Sequence, residues 1–261
     1  MTDLFELRGI LDKKSNFIIE IVGFISILIL WILITSMNLI PASIFPSPLK
    51  VITSFKELHF EDFLVTNAIY SIKLNFLGYI EAVLISILIG FPIGLFPVFR
   101  SLFSRYVNAS RFIPLTAITG VFIAWFGIET NMKVQFLAFG IIVYMLPVIV
   151  QRIDEVENVY LQTAKTLGAS RWQMIRSVFM PSVFAKISDD IRVLVAISWT
   201  YIIVAELVNR SGGIGAIAYT AARQSRIDKV FAVLLVIILI GFVQDRIFIY
   251  LDKKLFPYKH I

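Results

Sequence analysis

Few side chains in this sequence are placed to do covalent chemistry. The two histidines, His59 and His260, lie far apart, near loops or the C-terminus, and cysteine is absent. That argues against thiolate metal sites and a disulfide framework, and leaves two distant imidazoles as a poor metal site. No Ser, His and Asp, and no pair of carboxylates, stand at a spacing that suits nucleophilic or acid–base catalysis. No G-K-[ST] phosphate loop occurs, so ATP has no binding route of that kind. Gly213, Gly215 and Ala218 match the loose form of a dinucleotide fingerprint, but no β-strand precedes them and the match reads as chance. What remains is ionisable or amphipathic and set in apolar surroundings. Glu81 and Glu206 interrupt apolar blocks, which marks an intramembrane ionisable group as a candidate for solute contact. Trp125 and Trp199 are candidates for lining a pathway. The competing readings are that Glu206, near the outer end of its helix, reaches water, and that the tryptophans sit at a membrane interface.

These residues need elements to hold them, and the composition says which. Of 261 residues, 58% are hydrophobic and only 16% charged, against about 25% charged in soluble domains. The excess comes in blocks. A spanning helix needs roughly 20 mostly apolar residues, and six segments qualify. They run over Phe17–Met37, Leu74–Phe99, Phe112–Ile128, Val134–Val150, Val193–Val208, and Val230–Val243 continuing through Asp245 and Arg246 to Leu251. The first has the basic flank of a signal peptide (Arg8, Lys13, Lys14), but it is too long and lacks a small-residue cleavage site, so it is expected to stay as a helix. Within the second, Gly90 and Gly94 form a G-x-x-x-G, which points to close helix packing, and Pro92 is expected to kink it.

Six crossings put both termini on one side. That side collects the N-terminal arm, Arg100, Arg105 and Arg111, the long segment from Arg152 to Arg192, and the tail from Arg246, and so most of the Lys and Arg; it is expected to be cytoplasmic. The net charge of +6 has the same origin and needs no nucleic-acid partner. The loop from Asn209 to Lys229 runs against the pattern by placing Arg210, Arg223, Arg226 and Lys229 outside. Asn38–Asn67, with Pro41, Pro46 and Pro48, reads as an external connection followed by a short surface helix. There is no internal repeat or low-complexity tract.

The longest cytoplasmic excursion, Gln151–Asp190, carries the main functional signal. Val156, Tyr160, Ala164 and Leu167 recur on one face of a short helix. Gly168 stands where a helix-ending glycine would, and Ser170 and Gln173 form the S-x-x-Q of a capping box that starts a second helix. Trp172, Ile175 and Phe179 give that helix an apolar face, and Pro181 is expected to end or redirect it. Both helices are expected to be too short and polar to cross the bilayer. Their apolar face either packs on the protein's own helices or on headgroups, or docks into a partner's groove.

This segment resembles the EAA loop of ATP-binding-cassette (ABC) importer permeases, E-A-A, three residues, G, nine residues, I-x-L-P. Set on Gly168, the pattern falls on Gln162, Thr163 and Ala164, then Val178, Met180 and Pro181. Gln162 and Thr163 depart from it, and the glutamine removes the carboxylate that could pair with a partner's arginine. FPSP around Pro46–Pro48, IAWFGI over 123–128, TLGASRWQ over 166–173 and AELV…GGIG over 205–215 are similar to the nitrate/sulfonate/taurine/bicarbonate group of these permeases. The resemblance covers roughly Phe45–Leu255.

The resemblance implies an all-α polytopic protein of about six transmembrane helices with the architecture of a type I ABC importer permease. Residues 1–261 would form a single transmembrane domain, with an N-terminal arm and first helix over 1–40, a core over about 65–255, and the coupling loop over about 155–181. Tyr160, Gln162, Thr163, Ala164, Leu167, Gly168, Arg171, Trp172 and Pro181 would form the ATPase-coupling loop. Two ATPase subunits would bind there, carrying ATP and Mg, while this chain binds no cofactor and catalyses nothing. A second permease copy would complete the pathway in the bacterial inner membrane. A periplasmic or extracellular solute-binding protein would deliver a small anion such as nitrate, sulfonate, taurine or bicarbonate, and the loop around 212–215 is expected to be flexible and to face it. A secondary transporter driven by an ion gradient is the alternative, with Glu81 and Glu206 as its only support. A membrane-embedded enzyme lacks a catalytic constellation.

Overall fold

The computed structural model describes residues 9, 11–208 and 211–259. Arg8, Asn209, Arg210 and His260, which entered the sequence reading, lie outside the described residues. The elements are helices throughout. In chain order they are α1 (Lys13–Ser36), α2 (Pro48–Phe60), α3 (Leu64–Leu95), α4 (Pro97–Ser110), a 3₁₀ turn (Leu115–Ile118) leading into α5 (Thr119–Phe126), α6 (Thr130–Asp154), α7 (Asn158–Thr166), α8 (Arg171–Met174), a π-helical turn (Ile175–Phe179), α9 (Met180–Val208), α10 (Ile214–Arg223) and α11 (Ile227–Leu255). Five stretches are long and apolar enough to span a membrane: α1, α3, α6, the continuous run Arg171–Val208, and α11. Together α4 and 115–126, bent by 96° at the break between them, form either a sixth, broken span or a re-entrant loop.

The breaks follow local chemistry. Pro92 lies inside α3, which runs on to Leu95. The interruption comes at Phe96, whose ψ of 122° is extended, because the residue before Pro97 is pushed out of the α region. Pro181 does not end its helix as expected. It is the second residue of α9, and the π turn before it, in which the Met180 N–H reaches Ile175 O, lets the backbone adjust around the missing proline N–H. The cytoplasmic segment therefore holds one short surface helix, α7, and the extended foot of a spanning helix, not two short helices. The third expected span, Phe112–Ile128, is realised only as the half-span 115–126, and Arg111 lies at the bend between it and α4.

The chain divides into two compact units, 1–62 with 220–232, and 63–219 with 233–261. In the first, Ser47 caps α2 and Pro48 occupies its first turn, as expected for the surface helix. The Trp31 indole N–H donates to Pro46 O at 2.9 Å, and the Trp31, Phe45 and Phe231 rings cluster with centroids 5.7–6.0 Å apart. Arg226 pairs with Glu57 at 2.7 Å and Lys229 with Asp62 at 2.7 Å. No residue of α1 is buried, which costs an apolar helix nothing in lipid.

The second unit is built on α3, α6 and α9. Gly78, Ala82, Ser86, Gly90 and Gly94 recur every four residues along α3, and all are buried. A Cβ added at Gly78 would lie 2.8 Å from Val134 O, and one at Gly90 2.8 Å from Ile149 Cγ2. These small residues let α3 lie directly on α6, the packing role expected of the G-x-x-x-G. Phe122 of α5 anchors the half-span against Met132 and Phe136 of α6 and Ala205 of α9.

Candidate functional site

The segment that resembles the EAA loop begins where α6 ends. Arg152 donates from Nε and Nη2 to the two carboxylate oxygens of Asp190 at 2.7 Å each, and from Nη1 to Glu155 at 2.7 Å. The Arg152 hydrogen bond holds the Glu155 carboxyl below its usual range. This fork ties the C-terminal end of α6 to α9 and fixes the departure of the chain towards α7. Val156 is buried in the connecting turn, two residues before α7 starts. The helix ends as the sequence indicates. Gly168 has φ +74°, its N–H donates to Lys165 O at 2.9 Å, and the Ala169 N–H donates to Ala164 O at 2.9 Å, the double hydrogen bond of a Schellman turn. The capping box follows, with the Gln173 N–H on Ser170 Oγ and the Ser170 N–H on Gln173 Oε1.

On this rigid turn the large apolar side chains point outward. Tyr160 is 53% exposed, Leu167 81% and Trp172 66%. Gln162, Thr163, Gly168 and Arg171 are exposed, and Ala164 is half-buried. A groove of about 320 Å³ runs between α7 and the π turn, lined by Tyr160, Thr163, Ala164, Leu167, Ser177 and Val178. Pro181 lies farther along, its carbonyl accepting the Tyr258 hydroxyl at 3.1 Å.

The pathway candidates are not brought together into one site. Glu81 is half-buried and accepts both its contacts from Gln135 Nε2, at 2.9 and 3.0 Å. Trp125 is 72% exposed, whereas Trp199 is buried and donates its indole N–H to Gln244 at 2.8 Å. Glu206 does not reach water; it is fully buried. Its Oε1 accepts the Ser71 hydroxyl at 2.6 Å and its Oε2 the Gly215 N–H at 2.8 Å. Ser71 in turn accepts the Ile214 N–H at 2.9 Å, and Asn67 accepts the Gly213 N–H at 2.7 Å. Glu206 thus occupies the positive N-terminal end of α10, where a carboxylate is stabilised. The GGIG stretch expected to be a flexible loop is pinned at its glycines by side chains from α3 and α9. Gly213, at φ +106°, has no room for a Cβ against the Glu206 carboxylate.

Comparison with known proteins settles what carries this geometry. Residues 82–257 match the family of binding-protein-dependent transport system inner membrane components. The chain belongs to that family. It is the membrane permease of an ABC importer. It is 27% identical over 241 residues to the putative aliphatic sulfonates transport permease protein SsuC of Bacillus subtilis, covering 90% of this chain and 85% of that one. It is 27% identical over 182 residues to the taurine transport system permease protein TauC of Escherichia coli, covering 70% and 66%. A solved structure of the MetNI methionine ABC transporter in inward facing conformations shares the fold, with a TM-score of 0.64 at 16% identity over 76% of this chain and 97% of that one.

Several functional groups of the permease left little trace in the sequence. Lys133, which the sequence analysis did not single out, is fully buried. Its Nζ donates to Ser211 Oγ and Gly212 O at 3.3 Å each and sits 5.2 Å from the Tyr70 ring centroid. Asn75 and Ser198 exchange hydrogen bonds between α3 and α9 at 2.9 and 3.1 Å. A lone Lys or Asn within a span was the available signal, and it needed the partner helix to be interpreted.

Proposed function

We propose that two copies of this chain form the pathway of an importer for a small anion of the sulfonate class, taurine, nitrate and bicarbonate being the close alternatives. The names of the two relatives, an aliphatic sulfonate and a taurine permease, support the substrate class. A solute-binding protein delivers the anion from outside, and both termini lie in the cytoplasm. The chain itself is non-catalytic and binds neither ATP nor Mg, which belong to the partner ATPases.

The observation that carries the mechanism is the set of exposed apolar side chains, Tyr160, Leu167 and Trp172, on a turn locked by Gly168. Aromatic anchors of this kind dominate docking energies. An ATPase subunit seated on α7 moves it as a rigid body, and the continuous helix from Arg171 to Val208 carries that motion into the span. This alternates access to the two faces without covalent chemistry in the permease. Trp172→Glu and Gly168→Leu are expected to insert normally but to lose the ATPase subunit on purification, since truncating such an anchor costs about 2 kcal/mol or more. Full ATPase recovery with both variants, together with normal uptake, would refute docking at α7.

A further inference from the structure

Arg111 sits at the 96° bend between α4 and the 3₁₀ turn at Leu115. Two cavities meet at it. One, of about 300 Å³, is lined by Arg111, Thr116, Phe136, Tyr144, Thr200 and Tyr201 among others. The other, of about 340 Å³, is bounded by Arg111, Tyr144, Asn108, Gln151 and Asp154. Tyr144 lies near the middle of α6, so this guanidinium is level with the interior of the span. An arginine at that depth is costly unless it serves a solute or finds a partner.

The partner is not a carboxylate. Arg111 donates from Nε to Asn108 O at 3.1 Å and from Nη2 to Asn108 Oδ1 at 2.8 Å, which orients the group without neutralising it. Asp154, the one carboxylate lining these cavities, is engaged by Arg100 at 2.6 Å. Thr116, Thr200, Tyr144 and Tyr201 line the upper cavity, the two tyrosines hydrogen-bonded to each other, and Phe136 gives it an apolar side. Gly140 of α6 lets Tyr201 and Leu115, both on the cavity wall, pack closely against that helix, since a Cβ there would lie 2.7 Å from Tyr201 Cδ2 and 3.0 Å from Leu115 Cδ1. Discontinuous helices with their break near midplane are where transporters place their solutes.

We infer that the cavities at this break are a subsite for the anionic head of the transported solute, with Arg111 as its cation and hydroxyls of the cavity wall, Thr116 and Thr200 first, as further donors. The inference rests on the small-anion reading above. A planar, permanently charged fork suits a sulfonate or carboxylate oxygen pair, and the apolar side accepts a short organic tail.

The test uses the complete transporter, with its ATPase and binding protein, in proteoliposomes supplied with ethanesulfonate, taurine, nitrate or bicarbonate. A wild-type complex that takes up none of the four overturns the small-anion reading and the subsite with it. Where one is taken up, Arg111→Gln is expected to lower its kcat/KM about ten- to hundredfold. ATPase stimulation by the loaded binding protein should persist, and Arg111→Lys should recover part of the uptake. Wild-type uptake by Arg111→Gln overturns the subsite alone. Because the chain has no native cysteine, Thr116→Cys supplies a readout independent of uptake in complexes whose partners are cysteine-free. Its modification by 2-sulfonatoethyl methanethiosulfonate should slow in the presence of the transported anion. Equal rates with and without the anion overturn the proposal even if Arg111→Gln fails to assemble.

Discussion

Gly78→Ala adds one methyl group at the centre of the α3–α6 contact, where it meets Val134 O at 2.8 Å and Leu137 Cδ2 at 2.9 Å. The leucine can turn away, but the carbonyl belongs to the α6 backbone and moves only with the helix. Separating the helices by about 0.5 Å forfeits roughly a quarter of the dispersion well for each atom pair along that stretch, and overpacking of this kind typically costs about 1–3 kcal/mol. Against that, replacing glycine by alanine inside a helix contributes about 1 kcal/mol. Because the clash is with backbone, the cost falls at the upper end of that range, and the net expectation is a destabilisation of about 2 kcal/mol, a fall of about 4–8 °C in the melting temperature of the purified permease in mild detergent. Gly241→Ala is the control. It is also in a spanning helix but has nothing within 4 Å of the added Cβ, so only the propensity gain applies and its melting temperature should stay level or rise. If Gly78→Ala melts at or above the wild type while Gly241→Ala behaves as expected, α3 and α6 are not in backbone-to-backbone contact at that level.

Glu206→Ala should leave the Gly215 N–H and the Ser71 hydroxyl without their acceptor in a buried site, at about 1–3 kcal/mol for each orphaned group. The expected sign is faster protease cleavage between Ser211 and Gly215 in the variant, and unchanged cleavage would refute the pinning of that loop. The Glu57 carboxyl is held below its usual range first by its hydrogen bond to Arg226. A depressed pKa contributes stability that is present above the ordinary carboxylate value and is lost as pH falls through the folded value. Wild type should therefore melt above Glu57→Gln at pH 7 and converge with it in acid; a difference that persists to pH 3 would show that the ion pair is not its source.

What the sequence determined by itself is what depends on neighbours along the chain. Five of the six apolar blocks, the Ser170–Gln173 capping box, the helix-ending role of Gly168 and the short surface helix after the Pro-rich connection are set by periodicity and by local backbone chemistry, and each stands where it was expected. The EAA pattern, set on Gly168, marked a segment that forms a helix closed by that glycine, even though Gln162 and Thr163 depart from the pattern. The tertiary structure decided everything that needed a partner from far away. Glu206 is buried, not hydrated, because Ser71, 135 residues earlier, meets it across α3 and α9. Pro181 continues a helix because the π turn before it lets the backbone adjust. Arg111 falls at a bend because the half-span beyond it is anchored by Phe122 on α6 and α9. A single charged residue beside an apolar block reads alike whether it faces water, a counter-ion or a solute, since the free energy separating these fates lies in groups that only the folded packing brings within a few ångströms.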